Sequence, residues 1–278
     1  RTWQAMGEES KSEEAYRESV AQVTAFRGQL HADTALAHSN LAGVLLDQDR
    51  FGEAREHYEQ SLEIRRKIFP KDHASISQSL LELGKAWGRV GRYERAFMCL
   101  QKCKEMRLRN TTSLFGRDHA RVADVILQIG RLEDKRGASG QAVKEFRQCL
   151  LIRDRVHEGV HASIASVLIH LGHALHHIGH NDEAIEHLER CLEMRLELFG
   201  DAHLRTASAH SSMAYVLEGM GRFQDALSHQ VSCTKIRQAE LSEDHSDFVE
   251  SKQEMVRLAF VVASQSGGDV IPIRGSED

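Results

Sequence analysis

The chain has 278 residues, 41% of them hydrophobic and 28% charged, with a formal net charge of −5. Such a length predicts one or two domains with a buried core, and the acidic balance excludes bulk nucleic-acid binding through a basic surface. No apolar run approaches the roughly 18 residues of a membrane span, no signal-peptide pattern opens the chain, and five cysteines suggest no disulfide framework, so a cytoplasmic protein is expected.

The chain opens on Arg1 rather than Met, which predicts a piece of a longer, multidomain protein. Residues 1–29 read as a truncated repeat: Trp3 and Gly7 precede Trp87 and Gly91 by 84 positions, and Tyr16 and Ser19 precede Tyr58 and Ser61 by 42. Histidines then stand at 31, 73, 119, 161, 203 and 245, with spacings of 42, 46, 42, 42 and 42. Alanines keep the same rhythm at 54, 96, 142, 184 and 226, and arginines at 65, 107, 153, 195 and 237. A turn column reads Asp49, Gly91, Gly137, Gly179 and Gly221. One period recurring in four columns defines repeat 1 (31–72), repeat 2 (73–118), repeat 3 (119–160), repeat 4 (161–202) and repeat 5 (203–244). The four extra residues of repeat 2 fall between Arg107 and His119, in or near "NTTS" (110–113). Residues 245–265 supply one more amphipathic, capping helix, and 266–278 a disordered tail.

Each repeat reads as two helices. In repeat 4, Ile164, Leu168, Leu171, Leu175 and Ile178 follow a helical apolar stripe, "GHND" breaks it, and Ala184, Leu188, Cys191, Leu192 and Leu198 resume it. Glu186, Glu189 and Glu193 suit the solvent side. One such pair cannot bury its stripe alone, but stacked copies can, which makes the fold class all-α, a solenoid of antiparallel helix pairs.

The residue order resembles the tetratricopeptide repeat. The family's small residue of the first helix matches Ala42, Gly84, Gly130, Gly172 and Ala214, and its turn matches "GRYERA", "GHNDEA" and "GRFQDA". The 42-residue period and endings such as "SLEIRRKIFPKDH" look most like the kinesin light chain and nephrocystin-3 type, over roughly residues 1–265. The resemblance implies a right-handed superhelix whose first helices line a concave groove, and a protein-binding scaffold. The paired asparagines of kinesin light chains are replaced by Ser39-Asn40, Leu81-Glu82, Leu127-Gln128, Ile169-His170 and Ser211-Ser212. Their proline after the repeat histidine is replaced by Ala32, Ala74, Ala120, Ala162, Leu204 and Ser246. Kinesin cargo binding is therefore not carried over.

Several columns read as architecture. Cys103, Cys149, Cys191 and Cys233 share a column with Ser61, as small buried packing residues; Cys99 stands four before Cys103. The histidine column suits a structural role at the junctions between repeats. The arginines are expected to pair with acids or helix-end carbonyls nearby, for example Asp72, Asp118 and Asp244.

The inner face of the first helices carries two positions four apart: Gly43 and Asp47, Lys85 and Arg89, Arg131 and Lys135, His173 and His177, Tyr215 and Gly219. Four cations and two imidazoles in three successive units predict a strip that holds an acidic or C-terminal peptide. Asn40 and Gln128, with Ser39 and Ser211, are candidates to bond its backbone, and Leu81, Leu127 and Ile169 to receive apolar side chains. "HLGHALHHIGH" (170–180) places His173 and His177 at the spacing two imidazoles need for one ion, and their charging in acid would strengthen the hold on an acidic ligand. A third metal ligand would have to come from Asp134 or Glu218, and no metal or cofactor is expected. No phosphate-cradling glycine loop, activated nucleophile or H-E-x-x-H pattern argues for an enzyme. The expectation is a non-catalytic scaffold binding a protein or peptide of acidic character, not nucleic acid or membrane. The alternative is a scaffold docking a folded partner, or flanking domains of its own longer chain, through the outer helices.

Overall fold

The computed structural model describes residues 3–110 and 117–265, with side chains from 12–110 and 119–265, and these residues form helices joined by short turns. In order the helices are α1 (Trp3–Arg27), α2 (Ala32–Asp47), α3 (Phe51–Ile68), α4 (Ala74–Arg89), α5 (Tyr93–Arg109), α6 (Arg117–Lys135), α7 (Ser139–Val156), α8 (Ala162–His177), α9 (Asn181–Phe199), α10 (Leu204–Gly219), α11 (Phe223–Glu240) and α12 (Ser246–Gln265). The side chains of Trp3 and Gly7, most of the "NTTS" insertion and the tail 266–278 lie outside the described residues. The chain divides into two compact units, Arg1–Val156 and His157–Asp278. Within each unit every helix packs on the next, and α4 also touches α6, as α8 touches α10.

Short recurring contacts explain where each helix begins and ends. The repeat histidine is the N-cap of the first helix: the Nδ1 atoms of His31, His73, His161 and His203 accept from the backbone N–H two residues on, at 3.1, 3.2, 3.1 and 2.9 Å. His245 does the same for Asp247 at 3.2 Å. Each bond satisfies one of the donors that a helix start leaves open, an effect of about 1 kcal/mol for an ordinary polar cap. An aromatic ring four residues earlier holds some of these imidazoles flat, with centroids 4.0 Å apart for Phe69–His73 and 4.9 Å for Phe199–His203. At the other end, Arg50, Arg92, Ala138, His180 and Arg222 each donate N–H to the carbonyl five residues back, closing the first helix of every repeat over a left-handed residue. That residue is glycine at 91, 137, 179 and 221, and Asp49, at φ 62°, in repeat 1.

The helix pairs close on small-against-large contacts. Ala54, Ala96, Ala142, Ala184 and Ala226 are all fully buried. A Cβ on Gly84 would meet Leu100 at 2.8 Å, one on Gly130 would meet Phe146 at 2.6 Å and one on Gly172 would meet Leu188 at 2.7 Å. The large residue of the second helix therefore sits where the first helix has no side chain. In repeat 4, Ile164, Leu168, Leu171 and Leu175 are buried as expected, whereas Ile178 and Leu198, at helix ends, are exposed.

The cysteine column is buried and also bonded. Cys103, Cys149 and Cys191 donate Sγ–H to the carbonyls of Ser77, Ala123 and Ala165 at 3.0, 3.2 and 3.2 Å, and Ser61 donates to Ala35 at 2.7 Å. Burial pushes those three thiols up to about 11, away from thiolate chemistry. The arginine column takes both kinds of expected partner, though not the acids named as examples. Arg65, Arg107, Arg195 and Arg237 donate to carbonyls near the start of the following first helix, at Ser75, Arg121, Arg205 and Asp247, and Arg153 pairs with Asp124 at 2.9 Å. Asp72 instead takes Arg109 at 3.4 Å, and the side chain of Asp118 lies outside the described residues. A guanidinium is long enough to pass the turn and tie one repeat to the next.

Candidate peptide-binding groove

In the first unit the direct contact of α4 with α6 brings two first-helix faces together. Positions four apart share a helix face, so Leu81, Lys85 and Arg89 run along α4 while Leu127, Arg131 and Lys135 run along α6. Two open recesses lie along this face. One, of about 690 Å³, is lined by Gln78, Leu81, Glu82, Lys85, Asp124 and Leu127, among others. The other, of about 260 Å³, has Leu46, Leu100 and Leu132 among its walls and Lys85, Arg89, Gln128, Arg131 and Lys135 at its polar edge. Lys85 and Gln128 line both.

The four cations differ in how far they are neutralised. Lys85 donates to both carboxylate oxygens of Glu82, at 3.1 and 3.2 Å. Arg89 pairs with Asp49 at 3.1 Å and lies over the Phe51 ring, 4.8 Å from its centre. Arg131 and Lys135 have no ion pair among the described residues. Loss of surrounding water and then the neighbouring Arg89 lower the Arg131 pKa; for Lys135 the causes are loss of water, then Arg131 and Arg89. Like charges thus crowd a recess with apolar walls, a setting that an incoming carboxylate relieves.

The remaining candidates separate. Asn40 is exposed on α2. Ser39 is turned inward, 2.8 Å from Ser61 Oγ, and so is not presented to a ligand as expected. Leu81 and Leu127 show only an edge, at 5% and 7% exposure.

His173 and His177 belong to the second unit, where Tyr215 of α10 gathers the histidines of α8. The Tyr215 ring meets His173 edge-on at 5.4 Å and His176 at 5.3 Å, and its hydroxyl lies 3.4 Å from His177 Nε2. His176 also bonds Asn181 at 2.7 Å. A recess of about 720 Å³ beside this cluster is lined by Ser211, Tyr215, Glu218, Glu250, Glu254 and Arg257, among others. Arg257 bridges Glu218 and Glu254, each at 2.7 Å, so Glu218 is engaged and not waiting for an ion. Asp134 accepts from Ser139 at 2.8 Å. Among the described residues no three histidine, cysteine or acidic side chains gather in a metal-binding group.

Two features escaped the reading from residue pattern. Glu82 lies three positions before Lys85 on one helix, a spacing that could have revealed the pair. Asp49 and Arg89 are 40 positions apart in sequence, and no local signal joins them.

Antiparallel helix pairs that close a small residue under a large one, with an arginine tying repeat to repeat within each unit, define a helical-repeat protein of the tetratricopeptide class. The profile of the tetratricopeptide repeat matches residues 4–67, 33–109 and 163–239, more than half of the chain, and the chain belongs to that family. No curated protein matches it in sequence. Among solved structures it is similar to the nearly identical TPR-like repeats of a Podosopora anserina kinesin light chain type, with a TM-score of 0.64 and 20% identity over 76% of this chain and 99% of that one. It is also similar to BtubC (BKLC) from P. vanneervenii, with a TM-score of 0.69 and 17% identity over 86% and 96%. A Rap protein complexed with Competence and Sporulation Factor follows at a TM-score of 0.57 and 14% identity, over 84% of this chain and 66% of that one. These likenesses establish the fold. No described helix is long and apolar enough to cross a membrane.

Proposed function

We propose that the chain is a non-catalytic protein-interaction scaffold and that the groove of its first unit holds an extended, acidic segment of a partner. The observation that carries this reading is the cluster of Arg89, Arg131 and Lys135 around one recess, with two of the three lacking a counterion among the described residues. Structure normally neutralises its own cations; a groove that leaves them together favours an external carboxylate. Gln128 supplies an amide for the ligand backbone and Leu81 and Leu127 supply apolar contact. The Rap protein's complex with Competence and Sporulation Factor supports the use of this architecture for holding a partner. His173 and His177 of the second unit are read as a separate contact for an acidic side chain.

A second reading rests on Met98, 71% exposed in a recess on the outer side that Arg66, Phe97, Lys102 and Arg109 also line. A folded partner would use that face. A peptide array probed with the full chain at low and high salt tests both. Acidic peptides enriched at low salt and lost at high salt are expected. Indifference to charge, or capture abolished by Met98→Asp but not by Arg131→Ala, would reject the groove.

A further inference from the structure

Away from the groove, one pair of facing columns differs between the outer and the middle repeats. The first-helix position that holds Leu80, Ile126 and Leu168 in repeats 2, 3 and 4 holds His38 in repeat 1 and His210 in repeat 5. Its second-helix counterpart is Cys99, Glu145 and His187 in the middle repeats, but His57 and His229 in the outer two. Histidine therefore enters on both sides together, twice.

In each case the two rings meet at Nδ1, 3.0 Å apart for His38–His57 and 2.9 Å for His210–His229. Ring centroids are 5.2 Å apart in both pairs, and all four side chains are half-buried. Two Nδ1 atoms at this separation need one N–H and one lone pair between them, so one ring carries its proton on Nδ1 and the other on Nε2. A first added proton can sit on the free Nε2 of the donor ring, as a half-buried cation. A second must go to the accepting Nδ1, which removes the acceptor and sets two N–H groups head to head.

We propose that the two histidine pairs are acid-sensitive latches that hold the helices of repeats 1 and 5 together when neutral and release them as the pairs take up protons. Their surroundings favour the neutral state. Burial is the first cause lowering the pKa of all four; His57 adds to it for His38, and His229 for His210. Around the first pair, Arg17 of α1 opposes charging of His57, while Gln60, Glu53 and Glu56 of α3 partly favour it. Around the second, Asp225 of α11 and Glu189 of α9 favour charging of His229, and Arg222 opposes it. With the folded values below the unfolded value of about 6.5, the stabilisation is complete above that pH and is lost as pH falls through it. In repeat 4 the second-helix position is His187, which lies 3.5 Å from Glu183 and faces no second imidazole from the first helix, where Leu168 stands.

Backbone hydrogen exchange of the full chain between pH 7.5 and 5 tests the latch. Repeats 1, 2 and 5 all carry a histidine cap, so repeats 1 and 5 are compared with repeat 2. Protection of α2–α3 and α10–α11 is expected to fall about tenfold further per pH unit for each extra proton taken up on opening. The double variant His38→Leu, His57→Cys copies Leu80 and Cys99 of repeat 2. It should abolish the extra loss in repeat 1 and leave it in repeat 5. Equal acid loss in all repeats, or an unchanged slope in the double variant, would overturn the proposal. Should that variant not fold, side-chain nitrogen shifts of the unmodified protein decide: one Nδ1–H ring per pair supports the latch, and two Nε2–H rings in either pair reject it.

Discussion

The inner faces of the two units are built from the same backbone and reach opposite chemistry. In the first, the columns carry Lys85 and Arg89, then Arg131 and Lys135, and the last two have no counterion among the described residues. In the second they carry His173 and His177, then Tyr215 and Gly219, and the arginine lining the recess, Arg257, is held by Glu218 and Glu254. Capping, small-against-large closure and the turn are common to both. A helical repeat thus separates what folds it from what it presents, because the first helix buries one stripe and leaves the inner positions free to vary.

Charge reversal should break this contrast most strongly. Arg131→Glu with Lys135→Glu is expected to weaken a fluorescein-labelled probe peptide with three glutamates beside a leucine by about a hundredfold, or roughly 2.7 kcal/mol. His177→Glu in the second unit should change it less than about threefold at pH 7.5. Fluorescence anisotropy measures both. Equal losses from the two variants would erase the distinction between the units.

Closure by absent side chains, in turn, should fail equally in both units. Gly130→Ala places a methyl 2.6 Å from Phe146, and Gly172→Ala places one 2.7 Å from Leu188. Each is expected to cost about 2 kcal/mol in chemical denaturation, with exchange protection lost first in the mutated unit. A negligible cost at Gly130 would mean that the Phe146 ring is free to move aside and that the small residue is not what seats it.

The frame of the molecule was legible because one contact recurs once per helix pair. His161, Arg195 and Cys191 each stand in a column, so their spacing alone placed them as architecture. The packing role of the cysteines was legible as well; the individual bonds of these side chains were not, since they depend on side-chain direction. A histidine is an unusual helix cap, and nothing in the period says that Nδ1 turns back to the N–H two residues on. That the arginines would take acids or helix-end carbonyls was legible; which one each takes was not. For the groove, Lys85, Arg89, Gln128, Arg131 and Lys135 follow from column position, and the structure gathers them at one recess. The division at Val156 and His157 left no mark, because the histidine spacing stays at 42 across it.

The smallest effect bears on why Arg131 and Lys135 differ from Arg89. Asp49 stands in the left-handed conformation where every other repeat has glycine, and its carboxylate holds Arg89. Asp49→Gly should relieve backbone strain of about 0.5–1 kcal/mol. The exposed ion pair it removes contributes less than that, so the net change in stability is small and favourable. Arg89 then joins Arg131 and Lys135 in having no ion pair among the described residues, and the acidic probe should bind a few-fold more tightly. Anisotropy and denaturation on one sample give both signs. Tighter binding makes Asp49 a competitor for the cluster; weaker binding would mean that Asp49 aims Arg89 at the recess, and that the guanidinium needs its counterion to be useful there.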